Sequence, residues 1–247
     1  MAYTTVFKRY ELKYLLTDAQ KERLLAIMPD EMHEDAYGRT VIRNVYYDTE
    51  SYRLIRRSLE KPIFKEKLRL RSYATAAPSD TVFAELKRKV NGVVYKRRHP
   101  MAECEAAAWL QGGTAPTATG QIVREIGYFL SYYGPLAPRV FLSYEREAFC
   151  AEDGDLRITF DKSILARRDD LSLTSPPYGI PLLPEGRTLM ELKCGGGLPL
   201  WMVRFLSEEG IGKISFSKYG TAYKTLIYPT LFSKEAYCNE RSFSGAF

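Results

Sequence analysis

Between Lys65 and Tyr73 the chain alternates strictly. Lys65, Lys67, Arg69 and Arg71 fall on one side of a two-residue period, and Glu66, Leu68, Leu70 and Ser72 fall on the other. On a β-strand, same-face side chains stand only about 6.5 to 7 Å apart, so four cations in a row need counter-charges, water or an anionic ligand. For one such strand alone, a solvated outer face of an antiparallel sheet is the simpler reading. The pattern recurs, however.

Val82 to Val90 puts Phe83, Glu85, Lys87 and Lys89 opposite Val82, Ala84 and Leu86. Asn91-Gly92 predicts a hairpin, and Val93 to Arg98 returns as its partner with Val94, Lys96 and Arg98 on one side. Phe7 to Leu16 reads as a first strand with Arg9, Glu11 and Lys13 on one face, and residues 41–47 as a second that ends at Asp48. From Arg139 onward VFLSYEREAF and LRITFDKSI place Tyr144 with Arg146 and Arg157 with Asp161, and TLMELKC places Glu191 with Lys193.

Helices separate these strands. Thr17 with Gln20 forms a capping box that opens a helix through about Met28. Tyr52 to Leu59 reads as helix or turn, Met101 to Leu110 as a short helix, and Gln121 to Tyr133 as a helix with Ile122, Ile126, Phe129 and Leu130 at core spacing. Leu198 to Glu208 and the stretch beginning SFSKYG complete the set, with a Pro-, Ser- and Gly-rich loop over 169–187 and no clear pattern after Pro229. His99 beside Pro100 reads as a turn residue without a role.

Composition narrows the picture. The 247 residues are 45% hydrophobic with no boundary between halves, which predicts one domain over 1–247. The net charge of +6 favours an anionic partner without identifying it. Cys104, Cys150, Cys194 and Cys238 show no CxxC spacing and read as free thiols of a reducing compartment rather than a zinc site. The opening residues do not read as a secretory signal, and no apolar run is long enough to span a bilayer. A cytoplasmic protein is expected; docking to a membrane-protein partner would leave no such trace, and the oligomeric state is not legible.

The pairs Leu68/Leu70, Val82/Ala84/Leu86, Val140/Leu142 and Ile158/Phe160 read as apolar faces that helices could cover from outside. The charged faces would then look at one another. A sheet closed on itself would enclose Lys13, Lys67, Arg69, Arg71, Lys87, Lys96, Arg98, Arg146, Arg157 and Lys193 with Glu11, Glu85 and Glu191. Such a lumen demands water and a polyanion, and its carboxylates suit a hard divalent metal bridging to phosphate oxygens.

RYELKY, YYDT, KEKLRLRSY, FAELKRK followed by YKRR, YEREAF, LRITFD, MELK and FSKYG, in this order from about Arg9 to Gly220, closely resemble the VTC domain. This is the polyphosphate polymerase domain of the triphosphate tunnel metalloenzymes, which also contain the CYTH-type triphosphatases. The resemblance implies an α+β fold, a closed antiparallel eight-stranded β-barrel tunnel with flanking helices, and ATP's triphosphate held inside with Mn²⁺ or Mg²⁺. It assigns Lys13, Arg69, Arg71, Lys87, Lys96, Arg146 and Arg157, with Arg56 and Lys218, as phosphate ligands. Glu191 takes the place of a metal ligand, Tyr144 and Ser217 those of phosphate-contacting hydroxyls. Glu11 and Glu85 stand where hydrolytic relatives carry metal-binding or water-orienting carboxylates. Ser215 departs from the lysine that often precedes Phe-Ser-Lys. Three activities follow: a polymerase moving the terminal phosphoryl group of ATP to polyphosphate, a hydrolase of tripolyphosphate or nucleoside triphosphates, and a non-catalytic sensor of polyphosphate or inositol phosphates. Nucleic acid is not expected, because aromatics are not interleaved for base stacking on the charged faces.

Overall fold

The computed structural model describes residues 10–30, 32–35, 38–117, 120–152 and 155–231. Phe7 to Arg9, Cys238 and the tail beyond 231 lie outside them. One antiparallel sheet dominates. Its main path runs β1 (Tyr10–Thr17), β10 (Arg187–Cys194), β8 (Leu156–Arg167), β7 (Ala137–Ala151), β3 (Thr40–Asp48), β4 (Phe64–Ser72), β5 (Thr81–Val90) and β6 (Val93–Ala102). Two short strands join it from the side: β2 (Met32–Glu34) pairs with β7, and β9 (Ile180–Pro181) with β8.

The closed eight-stranded barrel expected from the sequence is therefore corrected to a ten-stranded sheet that stays open between β1 and β6. Local chemistry explains the gap. β6 carries Pro100, which has no N–H for a further ladder and suits an edge strand. The free edge of β1 is occupied instead by an isolated bridge from Tyr14 to Lys213 and by the Ile214 amide on the Lys13 carbonyl. His99 and Pro100 sit inside β6, paired with Ala84 and Phe83, so the strand outruns the expected Arg98 and the next helix starts at Glu103.

Helices cover the outer face. α3 (Glu103–Leu110) and α4 (Gln121–Tyr133) bury Trp109, Ile126 and Phe129 on Leu68, Leu70, Val82, Ala84 and Leu86. α1 (Asp18–Ala26), opened by the Thr17/Gln20 capping box, and α5 (Leu200–Glu208) pack Leu24, Met202 and Phe205 on Ile158, Phe160, Met190 and Leu192. A third apolar cluster overturns one expectation. Val140 and Leu142 share the face of Tyr144 and Arg146, and they lie inward with Ile42, Tyr46, Ile55 and Tyr219. The two-residue period requires it, since 140, 142, 144 and 146 are in phase. One end of the inner face is thus filled by α2 (Arg53–Leu59), α6 (Lys218–Ala222) and the π-helical turn Tyr223–Ile227, while the remainder is charged.

Candidate phosphate-binding site

Two carboxylate-centred clusters organise the charged part of the inner face. The first is built on Glu85 of β5, which is 1% exposed. Arg69 on the paired strand reaches Glu85 Oε2 at 2.7 Å, with Arg71 at 3.6 Å; Lys96 and Arg98, from the other neighbour, reach Oε1 at 2.7 and 2.8 Å. Burial opposes ionisation of Glu85, but Arg69, Arg71 and Lys96 outweigh it and hold the carboxyl well below the usual range. Further bonds orient the arginines: Arg69 Nη1 donates to the Tyr46 hydroxyl at 2.9 Å, Arg71 Nε to Asn44 Oδ1 at 2.9 Å, and Arg71 Nη2 to the Tyr144 hydroxyl at 3.3 Å.

The second cluster spans β1, β10, β8 and β7. Lys13 stands 3.2 Å from Glu11 and 3.1 Å from Glu191; Lys218 stands 3.0 Å from Glu191 and 2.5 Å from Asp161. Arg146 makes a fork on Asp161 at 2.6 and 2.7 Å, and Lys193 lies 3.9 Å from Glu191. Burial works against the charge of Lys218, yet Asp161 and Glu191 raise its pKa well above the ordinary value. Tyr144, buried between the clusters, is made more acidic: desolvation opposes this, but Arg71, Arg146 and Lys218 prevail.

The clusters meet across the inner face. Lys87 of β5 reaches Glu11 of β1 at 3.4 Å, and Lys67 of β4 donates to Ser217 Oγ, the cap of α6, at 3.0 Å. Among the described residues Lys67 has no carboxylate within 4 Å. Burial, then Lys87, Lys65, Lys13 and Arg69, push its pKa down to about 7. Ten cations (Lys13, Lys67, Arg69, Arg71, Lys87, Lys96, Arg98, Arg146, Lys193 and Lys218) thus surround four carboxylates (Glu11, Glu85, Asp161 and Glu191). The excess of positive charge is the site's defining property.

Two sequence candidates stand apart. Arg157 pairs with Asp35 at 2.5 Å. Arg56 is on the exposed side of α2 and makes no ion pair with the clusters among the described residues. Asp161, by contrast, received no role from the sequence, although its place two strand periods from Arg157 put it on the same face. Tyr46 and Asn44 carry no such signal, because residues 41–47 show no polar–apolar alternation that assigns their faces.

Among the described residues no three His, Cys, Asp or Glu side chains are placed to form a metal cage. Glu11 and Glu191 nevertheless share one ammonium, Lys13, between them. Two such carboxylates fit a hard divalent ion that completes its shell with water and substrate phosphates. Glu85 has both oxygens engaged by cations.

The sequence model of the VTC domain family matches residues 8–227, and the chain belongs to that family. A protein from Bacillus halodurans with a provisional adenylate cyclase assignment shares the fold, at a TM-score of 0.50 and 16% identity, covering 85% of this chain and 96% of that one. A similarly described Vibrio parahaemolyticus protein gives a TM-score of 0.45 and 13% identity over 87% of this chain and 98% of that one. No curated protein matches the chain. The family suggests an enzyme acting on triphosphates and dependent on a divalent metal. Among the described residues no helix is long and apolar enough to cross a membrane, and Cys104, Cys150 and Cys194 are free thiols.

Proposed function

We propose that this VTC-domain chain is a metal-dependent polyphosphate polymerase, which moves the terminal phosphoryl group of ATP onto the end of a polyphosphate chain lying along the inner face. The observation that carries this reading is the excess of cations over carboxylates there, with Lys67 lacking a carboxylate partner among the described residues. Holding such an excess on a partly buried face is costly, and a bound anion offsets that cost.

Phosphoryl transfer needs little covalent help from a protein; it needs both reacting groups aligned and their negative charge neutralised. Arg69 and Arg71, held in place by Glu85, Tyr46 and Asn44, present guanidinium N–H groups in a row along β4. Arg146 and Lys218 face them from the other cluster, and the Tyr144 hydroxyl between the two can donate to a phosphate oxygen. Lys67 and Ser217 form a further donor pair for the chain, and Lys87, Lys96, Arg98 and Lys193 extend the track. These groups let two polyanions approach end to end. A divalent ion on Glu191 and Glu11 would add charge neutralisation at the terminal phosphoryl group. The inner face gives no role in this scheme to nucleic-acid bases.

The test is a ³¹P NMR time course on purified protein with ATP and Mn²⁺ or Mg²⁺. Growth of internal-phosphate resonances is expected. Orthophosphate alone would make the protein a triphosphatase, and tight polyphosphate binding without turnover would make it a sensor.

A further inference from the structure

Asp48 lies at the end of β3 with 0% exposure, and none of the groups used above explains it. Its Oδ1 accepts the Thr49 and Leu54 amides at 2.8 and 2.9 Å; its Oδ2 accepts the Ile55 amide at 3.0 Å and the Tyr219 hydroxyl at 2.9 Å. Among the described residues it has no cationic partner. A buried carboxylate satisfied only by neutral donors is costly, and its position has to be accounted for.

What it joins is specific. Two of the bonds fix the first turn of α2 and one the turn at Thr49; the fourth fixes Tyr219, the residue after Lys218. The Tyr219 ring stacks on Tyr46 at 4.6 Å, and Tyr46 holds Arg69. α6 runs on through the π-helical segment Tyr223–Ile227 to residue 231, and Ser217 caps its first turn, so Ser217 and Lys218 sit at the helix end that the Tyr219 anchor holds. Gly220 adds a second constraint: a Cβ there would come within 3.1 Å of Leu59 on α2, so the two helices are pressed together.

We infer that the Asp48–Tyr219 bond is a positioning device for triphosphate binding, setting how far Ser217 and Lys218 reach into the inner face between Lys67 and the Glu191–Asp161 pair. This rests on the functional reading above for its ligand but not for its geometry. Tyr219→Phe removes the hydrogen bond and keeps the stack on Tyr46. Calorimetry with tripolyphosphate, well below the melting temperature of every variant, should then show affinity falling about three- to tenfold, the range one hydrogen bond spans. In a Lys218→Gln background the same change should cost less than about twofold, because a residue acting through Lys218 has nothing left to position. Unchanged affinity, or an equal loss in both backgrounds, would overturn the inference. A wild-type protein that ignores tripolyphosphate would sink the functional reading instead. The positioning claim is then decided by a crystal structure of Tyr219→Phe: Lys218 Nζ displaced from Asp161 and Glu191 supports it, and Lys218 Nζ still bonded to both refutes it.

Discussion

Glu11 on β1 and Lys87 on β5 approach to 3.4 Å although their strands belong to opposite ends of an open sheet. Side-chain charge brings the ends together where the backbone ladder does not. Lys87 is partly exposed, so the pair itself contributes less than about 1 kcal/mol and is screened by salt. Lys87→Gln should therefore leave urea unfolding within about 1 kcal/mol of wild type while weakening tripolyphosphate binding severalfold.

Glu85 behaves differently. Its carboxylate is the shared counter-charge of Arg69, Arg71, Lys96 and Arg98, in a buried place. Removing one member of a buried ionic cluster costs about 3 to 5 kcal/mol, because the remaining charges lose their compensation. Glu85→Gln should lower the melting temperature strongly in a thermal-shift assay, and added tripolyphosphate should restore much of the loss by supplying anions in its place.

Two lysines on the same face give opposite expectations. Among the described residues Lys67 has Ser217 but no carboxylate as partner, so Lys67→Met relieves desolvation and repulsion and should leave stability unchanged or improved. Lys218 bridges Asp161 and Glu191, so Lys218→Met leaves two buried carboxylates short of a partner and should destabilise. Both should bind tripolyphosphate less tightly. A Lys67→Met protein that unfolds at markedly lower denaturant would contradict this division.

The alternation of Lys65 to Ser72 and Val82 to Val90 made the inner charged face and the outer apolar face of β4 and β5 readable, since a strand facing helices on one side has no other pattern. The same arithmetic applied to β7 places Val140 and Leu142 with Arg146, but apolar identity suggested the outer face. Only the tertiary plug of α2 and α6 makes an inward apolar patch reasonable. Closure was unreadable for a different reason: whether β1 pairs with β6 depends on what takes each edge, here the 213–214 segment and Pro100. Asp48 and Tyr219 are 171 residues apart, and no local pattern links them.

Acid–base behaviour follows from the uncompensated charge. Burial and neighbouring cations bring Lys67 down to about 7; burial brings Lys96 to about 7 and Lys193 to about 8 against the opposing pull of Glu85 and Glu191, each from 10.5. A depressed lysine penalises the fold when protonated. The penalty is complete below about pH 7 and fades as the pH rises toward the unfolded value, so the unliganded protein should gain stability between pH 7 and 10. Polyanion binding favours the protonated lysines and shows the reverse trend. Titrations of tripolyphosphate at pH 7.5 in buffers of different ionisation enthalpy should reveal proton uptake, which shrinks in Lys67→Met; binding with no proton exchange would contradict the assignment.

The most direct measurement is transfer of label from γ-labelled ATP into gel-resolved chains, with Mn²⁺ present, comparing wild type with Glu191→Ala. Labelled ladders from the wild type that disappear with chelator and in the variant are the predicted result. Label released only as orthophosphate, or ladders undiminished in Glu191→Ala, would contradict a metal-dependent polymerase working on this inner face.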